Sequence, residues 1–363
     1  MPSKRVWVFG SFQQNNFFQN SKAFYLYVSK HCPEIKAVWL TKNKDIIQYL
    51  RENKLLAFHC NSLLGIYYSL KADYHIVDWG MDNTNPQYQF LSKLINFWHG
   101  IPLKRLERDI LVEPKYSMTR KKAYIKNFEK RAFGKPSLML ACSDYDKEKL
   151  SSAFNVPIDK IKITGFPRND WLNDSLPMLP KDKALKDAIN ADKKRFSKVF
   201  LYMPTFRDHG DFDEFEWIDD QFRQFLEDNK CCIYIKGHIA TQSDQSKSCD
   251  TIRNLNSSDD VYPLLNDFDC LITDYSSIYF DFALTGKQII HFVQDLKSYE
   301  SDVRGFYIDF EKHAAGDICR HVDDLKKAML NGKNESKKIA DMFHVYSSDF
   351  CKRIAEYLNN ETI

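Results

Sequence analysis

"CLITDYSSIYFDFALTGKQIIHFV", Cys270 to Val293, reads as a strand, a helix and a second strand in immediate succession. The first apolar run stops at Thr273 and Asp274, a run with helical spacing ends at Gly286, and "KQIIHFV" is apolar again. Neither apolar run alternates with polar residues, as expected of parallel strands covered on both faces. Parallel sheets bind their ligands beyond the carboxyl ends of the strands. Asp274, Ser276 and Ser277 therefore stand where chemistry is expected. At the start of the following helix, serine hydroxyls cap the first turn, or its free N–H groups face an anion. Asp281 lies one turn past Ser277 on the same helical face. A carboxylate there repels phosphate but can accept hydrogen bonds from the hydroxyls of a ribose or a polyol.

The same alternation extends in both directions. Upstream lie a strand "KVFLYMPTF" (198–206), an amphipathic helix "DEFEWIDDQFRQFLEDN" (213–229), a strand "CCIYIKGH" (231–238) and a short helical segment at 259–269. In the amino-terminal half, the strands "RVWVFG" (5–10), "KAVWLT" (36–41), "DYHIVDW" (73–79) and "KLINFWHG" (93–100) are interleaved with helical patterns at 21–32, 44–53 and 62–72. A charged, proline-bearing stretch near 175–195 reads as a linker. The expected architecture is α/β: one Rossmann-like domain over 1–180, a second over 181–340, and a helix over 341–363 that could cross back to the first.

Composition narrows the class. A chain of 363 residues suits two domains, and 44% hydrophobic with 28% charged residues is ordinary for a globular protein. A net charge of +3 excludes a polyelectrolyte binder, so any basic function must be local. The nine cysteines are odd in number and form no CxxC pair, which points to reduced thiols in the cytoplasm rather than a disulfide frame or a zinc site. No signal peptide and no apolar run of about 18 residues is present. The expected location is the cytoplasm, or the inner face of a membrane. Residues 104–135 hold eleven Lys and Arg against four acids, interleaved with Tyr116, Tyr124, Phe128 and Phe133. Such a segment is a solvated helix face or a patch for an anionic membrane surface. No nucleic-acid motif accompanies it, and no nucleic-acid partner is expected.

Other strand ends carry reactive groups. In "FWHGIPLKRL", His99 can remove a proton near neutral pH, and Gly100 and Pro102 open the backbone beside it. In "LYMPTFRD", Pro204, Thr205 and Arg207 suit a phosphate or merely pack a loop. In "IYIKGH", Lys236, Gly237 and His238 suit the same anion. "TGFPRND" places Arg168 in a turn, as a phosphate fork or a plain surface cation. No HxH or HExxH spacing supports a metal, and neither a metal nor a cofactor is expected. GxGxxG after the first strand, GxxxxGK[ST] and GxSxG are missing, which disfavours NAD enzymes, P-loop kinases and α/β-hydrolases. Two α/β lobes with basic and hydroxyl-bearing loops facing a central cleft are the logic of a GT-B-like enzyme with a nucleotide-activated donor.

"WHGIPLKRL", "TGFPRND", "YMPTFRD", "IKGH" and "TDYSSIYFDFALTGKQIIHFVQDLKSYESDVRGFYID" together resemble the CDP-glycerol glycerophosphotransferases of teichoic-acid and capsule synthesis. "GSFQQNNFFQNSKAFYLYV" is similar to that family's first loop. The resemblance implies a GT-B fold and transfer of glycerol phosphate from CDP-glycerol to a hydroxyl of a lipid-linked or polymeric acceptor, with CMP released at the cytoplasmic face of the membrane. It implies that Trp98, His99, Gly100, Ile101 and Pro102 lie at the donor, with His99 as base, and that Arg168 holds the pyrophosphate. Pro204, Thr205, Lys236, Gly237 and His238 would line the donor site, His238 assisting catalysis. Ser276 and Ser277 would bind phosphate at the strand end marked by Asp274, and Asp281 the donor's hydroxyls. Ile101 stands where the family often has threonine, and Lys236 where it often has arginine. A CDP-ribitol donor, a nucleotide-sugar transferase and a non-catalytic lipid- or polymer-binding protein remain the alternatives.

Overall fold

A computed structural model describes residues 5–111, 136–205, 215–237, 249–296 and 305–360. The chain forms two compact units, Met1–Pro177 with Phe343–Ile363, and Met178–Met342.

The first unit is built on strands β1 (Arg5–Phe9), β2 (Ile35–Thr41), β3 (Ala57–His59), β4 (Tyr74–Val77), β5 (Lys93–Asn96), β6 (Leu138–Ala141) and β7 (Ile161–Ile163). Their order is β3-β2-β1-β4-β5-β6-β7, and every pairing is parallel. The second unit holds β8 (Lys198–Met203), β9 (Cys231–Ile235), β10 (Ile252–Asn254), β11 (Cys270–Thr273), β12 (Gln288–Phe292) and β13 (Gly316–Cys319), in the order β10-β9-β8-β11-β12-β13, again all parallel. Both units therefore reverse strand order beside their first strand. The pairs Phe9↔Ile76 and Met203↔Thr273 put the carboxyl ends of β1 and β4, and of β8 and β11, side by side. Those are the switch points at which a doubly wound sheet leaves a crevice. Buried Trp7, Val8 and Phe9 in β1 and Leu271 and Ile272 in β11 account for the unbroken apolar runs.

The charged stretch that reads as a linker contains a helix, Pro180–Arg195. Its buried residues are Asp182, Ile189 and Asp192, so no apolar stripe marks it. It is seated by polar groups instead. Asp192 accepts from Tyr234 Oη (2.8 Å) and from Arg253 Nε (3.2 Å). The helix expected over 213–229 is shorter, Asp220–Asp228, and is capped by Asp219, which accepts from Phe222 N–H (2.7 Å). Trp217 and Ile218, just ahead of it, belong to the core.

The carboxyl-terminal segment forms two helices, Ser336–Phe343 and Phe350–Asn360, and the second packs within the first unit. Its cap comes from far away in sequence. The Asp170 carboxylate accepts from Phe350 N–H (3.0 Å) and Cys351 N–H (2.7 Å). Gly165 makes room for the same helix. It has φ +74°, and a Cβ there would lie 2.2 Å from the Phe350 ring. The helix Gln19–His31 is held in the same manner. Its N-cap Phe18 has no capping side chain, and Asp78, just past β4, accepts from Ser21 N–H (2.8 Å) and Ser21 Oγ (2.9 Å). Burial pushes the Asp78 carboxyl up to about 7, against those bonds, the charge of Arg168 and the Ser11 hydroxyl.

Losing an N-cap costs about 0.5–2 kcal/mol, and 1.4 kcal/mol is tenfold in an equilibrium. Amide exchange at Phe350–Ile354 should accelerate roughly 2- to 30-fold in Asp170→Ala, with β1 unaffected; unchanged exchange there would show that this cap does not hold the helix. For Asp78 the sign follows from a folded-state value raised above the ordinary 3.8. Its neutral form favours the fold, so that stability is complete below about pH 4 and is lost as pH rises towards about 7. Asp78→Asn keeps the acceptor for Ser21 and cannot ionise. Denaturant titrations across this window should show the wild type losing stability relative to the variant, and parallel curves would refute the buried-carboxyl account.

Candidate active site

In the first unit the site is built at the carboxyl ends of β1, β4, β5 and β7. Strand β5 ends at Asn96, whose side chain ties two neighbours: Nδ2 donates to Trp79 O (2.9 Å), and Oδ1 accepts from Trp98 N–H (2.9 Å). Trp98 adopts φ +59°, a left-handed conformation that is an outlier for a bulky residue. Such residues cost about 1–3 kcal/mol and persist where the surroundings over-determine them. Here the Trp98 indole is fixed in a cluster with Met139, Ala141 and Leu150, its ring centroid 4.5 Å from that of Phe154. The turn at Trp98 leaves the next side chain, His99, half-buried and stacked on Trp79, with ring centroids 4.4 Å apart and planes at 6°.

Arg168 meets the same loop from the turn after β7. It is 1% exposed, and its Nη1 donates to His99 O (2.9 Å) and to Gln19 Oε1. The sequence reading makes Arg168 a phosphate fork; the structure commits Nη1 to the protein's own carbonyl and amide oxygens, beside His99. Asn20 completes the frame, donating from Nδ2 to Trp98 O (2.9 Å) and accepting from Arg168 N–H (3.3 Å). Ile101 is 1% exposed, and Gly100 and Pro102 are buried, with Pro102 O accepting from Tyr145 Oη (2.8 Å). The motif "WHGIP" is thus mostly core, and His99 is its half-exposed side chain.

In the second unit the carboxyl ends of β8 and β11 are stitched together. Thr205 donates from N–H (2.9 Å) and Oγ1 (2.6 Å) to Asp274 Oδ1, and Thr273 Oγ1 donates to Met203 O (2.7 Å). Asp274 is 2% exposed, so its carboxylate seats the Pro204–Thr205 loop rather than standing open. Its backbone carbonyl fixes a histidine. Ala315 N–H donates to His291 Nε2 (3.1 Å), which leaves the hydrogen on Nδ1, 3.2 Å from Asp274 O. Burial lowers His291 to about 4, so the ring is neutral at physiological pH. Tyr275 is fully buried, with its ring near Phe310 and its hydroxyl donating to Asp295 Oδ1 (3.2 Å).

Ser276 and Ser277 are half-buried at the start of the short helix Ile278–Ala283, and the Ser277 side chain makes no capping bond. Asp281, expected to read donor hydroxyls, is 1% exposed on that helix. Lys236, expected to offset phosphate charge, turns inward: Nζ donates to Ser257 O (2.8 Å) and to Asn256 O. Burial lowers its pKa to about 8, against the pull of Asp259 and Asp260. Gly237 is buried beside it. His238, Arg207 and the basic residues between 112 and 135 lie outside the described residues.

Gln19, Asn20, Ser21, Asp78 and Trp79 are the parts of this arrangement to which the sequence reading assigns no role. Gln19, Asn20 and Ser21 lie in the stretch similar to the family's first loop, and Asp78 and Trp79 end a strand pattern. Among the described residues no helix is long and apolar enough to cross a membrane.

Known proteins resemble this chain in sequence and in fold. A teichoic acid poly(glycerol phosphate) polymerase of Bacillus subtilis is 30% identical over 97% of this chain, which spans about half of that protein (47%). A teichoic acid glycerol-phosphate transferase of Staphylococcus aureus is 26% identical over 97% of this chain and 90% of its own length. A solved variant of the wall teichoic acid polymerase TagF superposes with a TM-score of 0.75 at 24% identity, over 99% of this chain and 89% of that one, which gives the fold as GT-B-like. The family profile described as CDP-glycerol:poly(glycerophosphate) glycerophosphotransferase matches residues 1–354, and by that match the chain belongs to this family.

Proposed function

We propose that the chain transfers glycerol phosphate from CDP-glycerol to a hydroxyl of a lipid-linked or polymeric acceptor, releasing CMP, in the synthesis of a teichoic-acid-like or capsular polymer. The observation that carries this reading is His99: a half-exposed imidazole at the carboxyl edge of a parallel sheet, held in a strained loop, in a chain of this family. His99 removes the proton of the acceptor hydroxyl. The oxygen attacks the glycerol-bearing phosphorus, the bond from that phosphorus to the CMP oxygen breaks, and CMP leaves with the electron pair. The Ser276 and Ser277 hydroxyls, the Thr205 loop and His238 are the proposed partners of the pyrophosphate. Arg168 adds its charge behind His99. The basic region 104–135 holds the enzyme peripherally on the anionic inner face of the bacterial membrane, where a lipid-linked acceptor resides.

General-base catalysis contributes about 10²–10⁴ in rate. Purified full chain, assayed for nucleotide release with CDP-glycerol, CDP-ribitol and UDP-sugars in the presence of a glycerol-phosphate-primed lipid analogue, should turn over CDP-glycerol. His99→Ala should lose roughly 10²–10⁴ of kcat while still binding CMP by calorimetry. Wild-type kcat in His99→Ala removes the base assignment, and release from UDP-sugars alone removes the donor assignment. Sedimentation with phosphatidylglycerol vesicles should fall steeply with salt, since surface attraction is screened within about 10 Å at 0.1 M; salt-independent binding would exclude the basic region as the anchor.

A further inference from the structure

The first turn of the helix Gln19–His31 organises the His99 loop. Asn20 is fully buried, and its amide is divided between segments 78 and 148 residues away: Nδ2 donates to Trp98 O (2.9 Å), and Oδ1 accepts from Arg168 N–H (3.3 Å). Its neighbours serve the same groups. Gln19, itself at φ +67°, accepts from Arg168 Nη1, and Ser21 donates to Asp78. The left-handed Trp98 is therefore held from both sides of its backbone, its N–H by Asn96 and its C=O by Asn20. A return of Trp98 to the right-handed region would swing the chain that follows and lift the His99 ring off Trp79.

We propose that Asn20 is a positioning residue: by holding the Trp98 carbonyl and the Arg168 amide at once, it keeps the His99 loop in its strained conformation and aims the imidazole at the acceptor hydroxyl. The inference rests on His99 being the general base. It assigns a role to the polar start of the first helix that motif reading does not supply. It also explains a buried amide where an apolar side chain would serve packing alone: each half of the amide has its own backbone partner.

Asn20→Asp tests it. The variant is isosteric, keeps an acceptor for Arg168 N–H and loses the donor to Trp98 O. A misplacement of about 1 Å can cost 10²-fold in rate. The expected result is a roughly 10- to 100-fold fall in kcat with CDP-glycerol and the primed lipid analogue, and KM for CDP-glycerol within about threefold of wild type. In a His99→Ala background the same substitution should add nothing, because there is no imidazole left to place. Wild-type kcat in a folded Asn20→Asp enzyme, or a loss that adds in full to that of His99→Ala, overturns the inference. If His99→Ala alone turns over at the wild-type rate, the base assignment fails first and the inference with it; if His99→Ala is inactive and Asn20→Asp is not, only the positioning role fails. Should Asn20→Asp not fold, Asn20→Ser replaces the bridging amide with a hydroxyl too short to hold both the Trp98 carbonyl and the Arg168 amide, and the same kcat-specific loss is expected; wild-type kcat there overturns the inference equally.

Discussion

Buried carboxyl groups that accept from backbone N–H groups fix the strand-end loops within each unit. A carboxyl group taken out of water is unfavourable unless hydrogen-bonded, so each such group must find donors, and the nearest unsatisfied donors are the first N–H groups of helices and loops. Asp78 closes on Ser21, Asp146 on Cys142 and Ser143 (both 2.7 Å), Asp170 on Phe350 and Cys351, and Asp274 on Thr205. Three of these links join segments 57 or more residues apart. They decide where the loops at the strand ends sit. They also explain why Asp274, which stands in sequence at a strand end where chemistry is expected, seats the Thr205 loop.

With the loops anchored, strain can be stored where chemistry is proposed. Trp98 and Gln19 occupy left-handed conformations at the carboxyl edge of the first sheet. Neither is glycine, so each must be held by neighbours. Trp98 is held by the side-chain amides of Asn96 and Asn20 and Gln19 by the Arg168 guanidinium, and the Trp98 ring is locked in apolar packing. The result is one imidazole lying flat on an indole, its backbone carbonyl bound by a guanidinium. The second unit stitches its switch point by similar means, but with a threonine and an aspartate instead of a strained turn.

Much of the fold is legible in the sequence because parallel strands announce themselves as unbroken apolar runs. β1, β2, β4, β8, β9, β11 and β12 each lie within an apolar run that reads as a strand. The short edge strands β10 and β13 do not, since a three- or four-residue strand at a margin needs few apolar residues. The helix Pro180–Arg195 is invisible for a related reason: its buried face is charged, and the partners that make such a face tolerable, Tyr234 and Arg253, come from other strands. At the site, His99, Arg168 and the serines stand out by residue type. Asn20 and Asp78 do not, because nothing in their local sequence shows what they bind.

The sequence by itself determined the class of the apolar elements, the parallel character of both sheets and the strand ends at which reactive groups collect, because these depend on local spacing and on burial of contiguous apolar residues. Only the tertiary structure decided which of those groups face inward. Lys236, Asp274 and Asp281 are enclosed and His99 is half-exposed, and that distinction depends on donors and acceptors brought from tens to hundreds of residues away. Hydrogen-bond partnership at such separations is a property of the assembled sheet, and no periodicity along the chain records it.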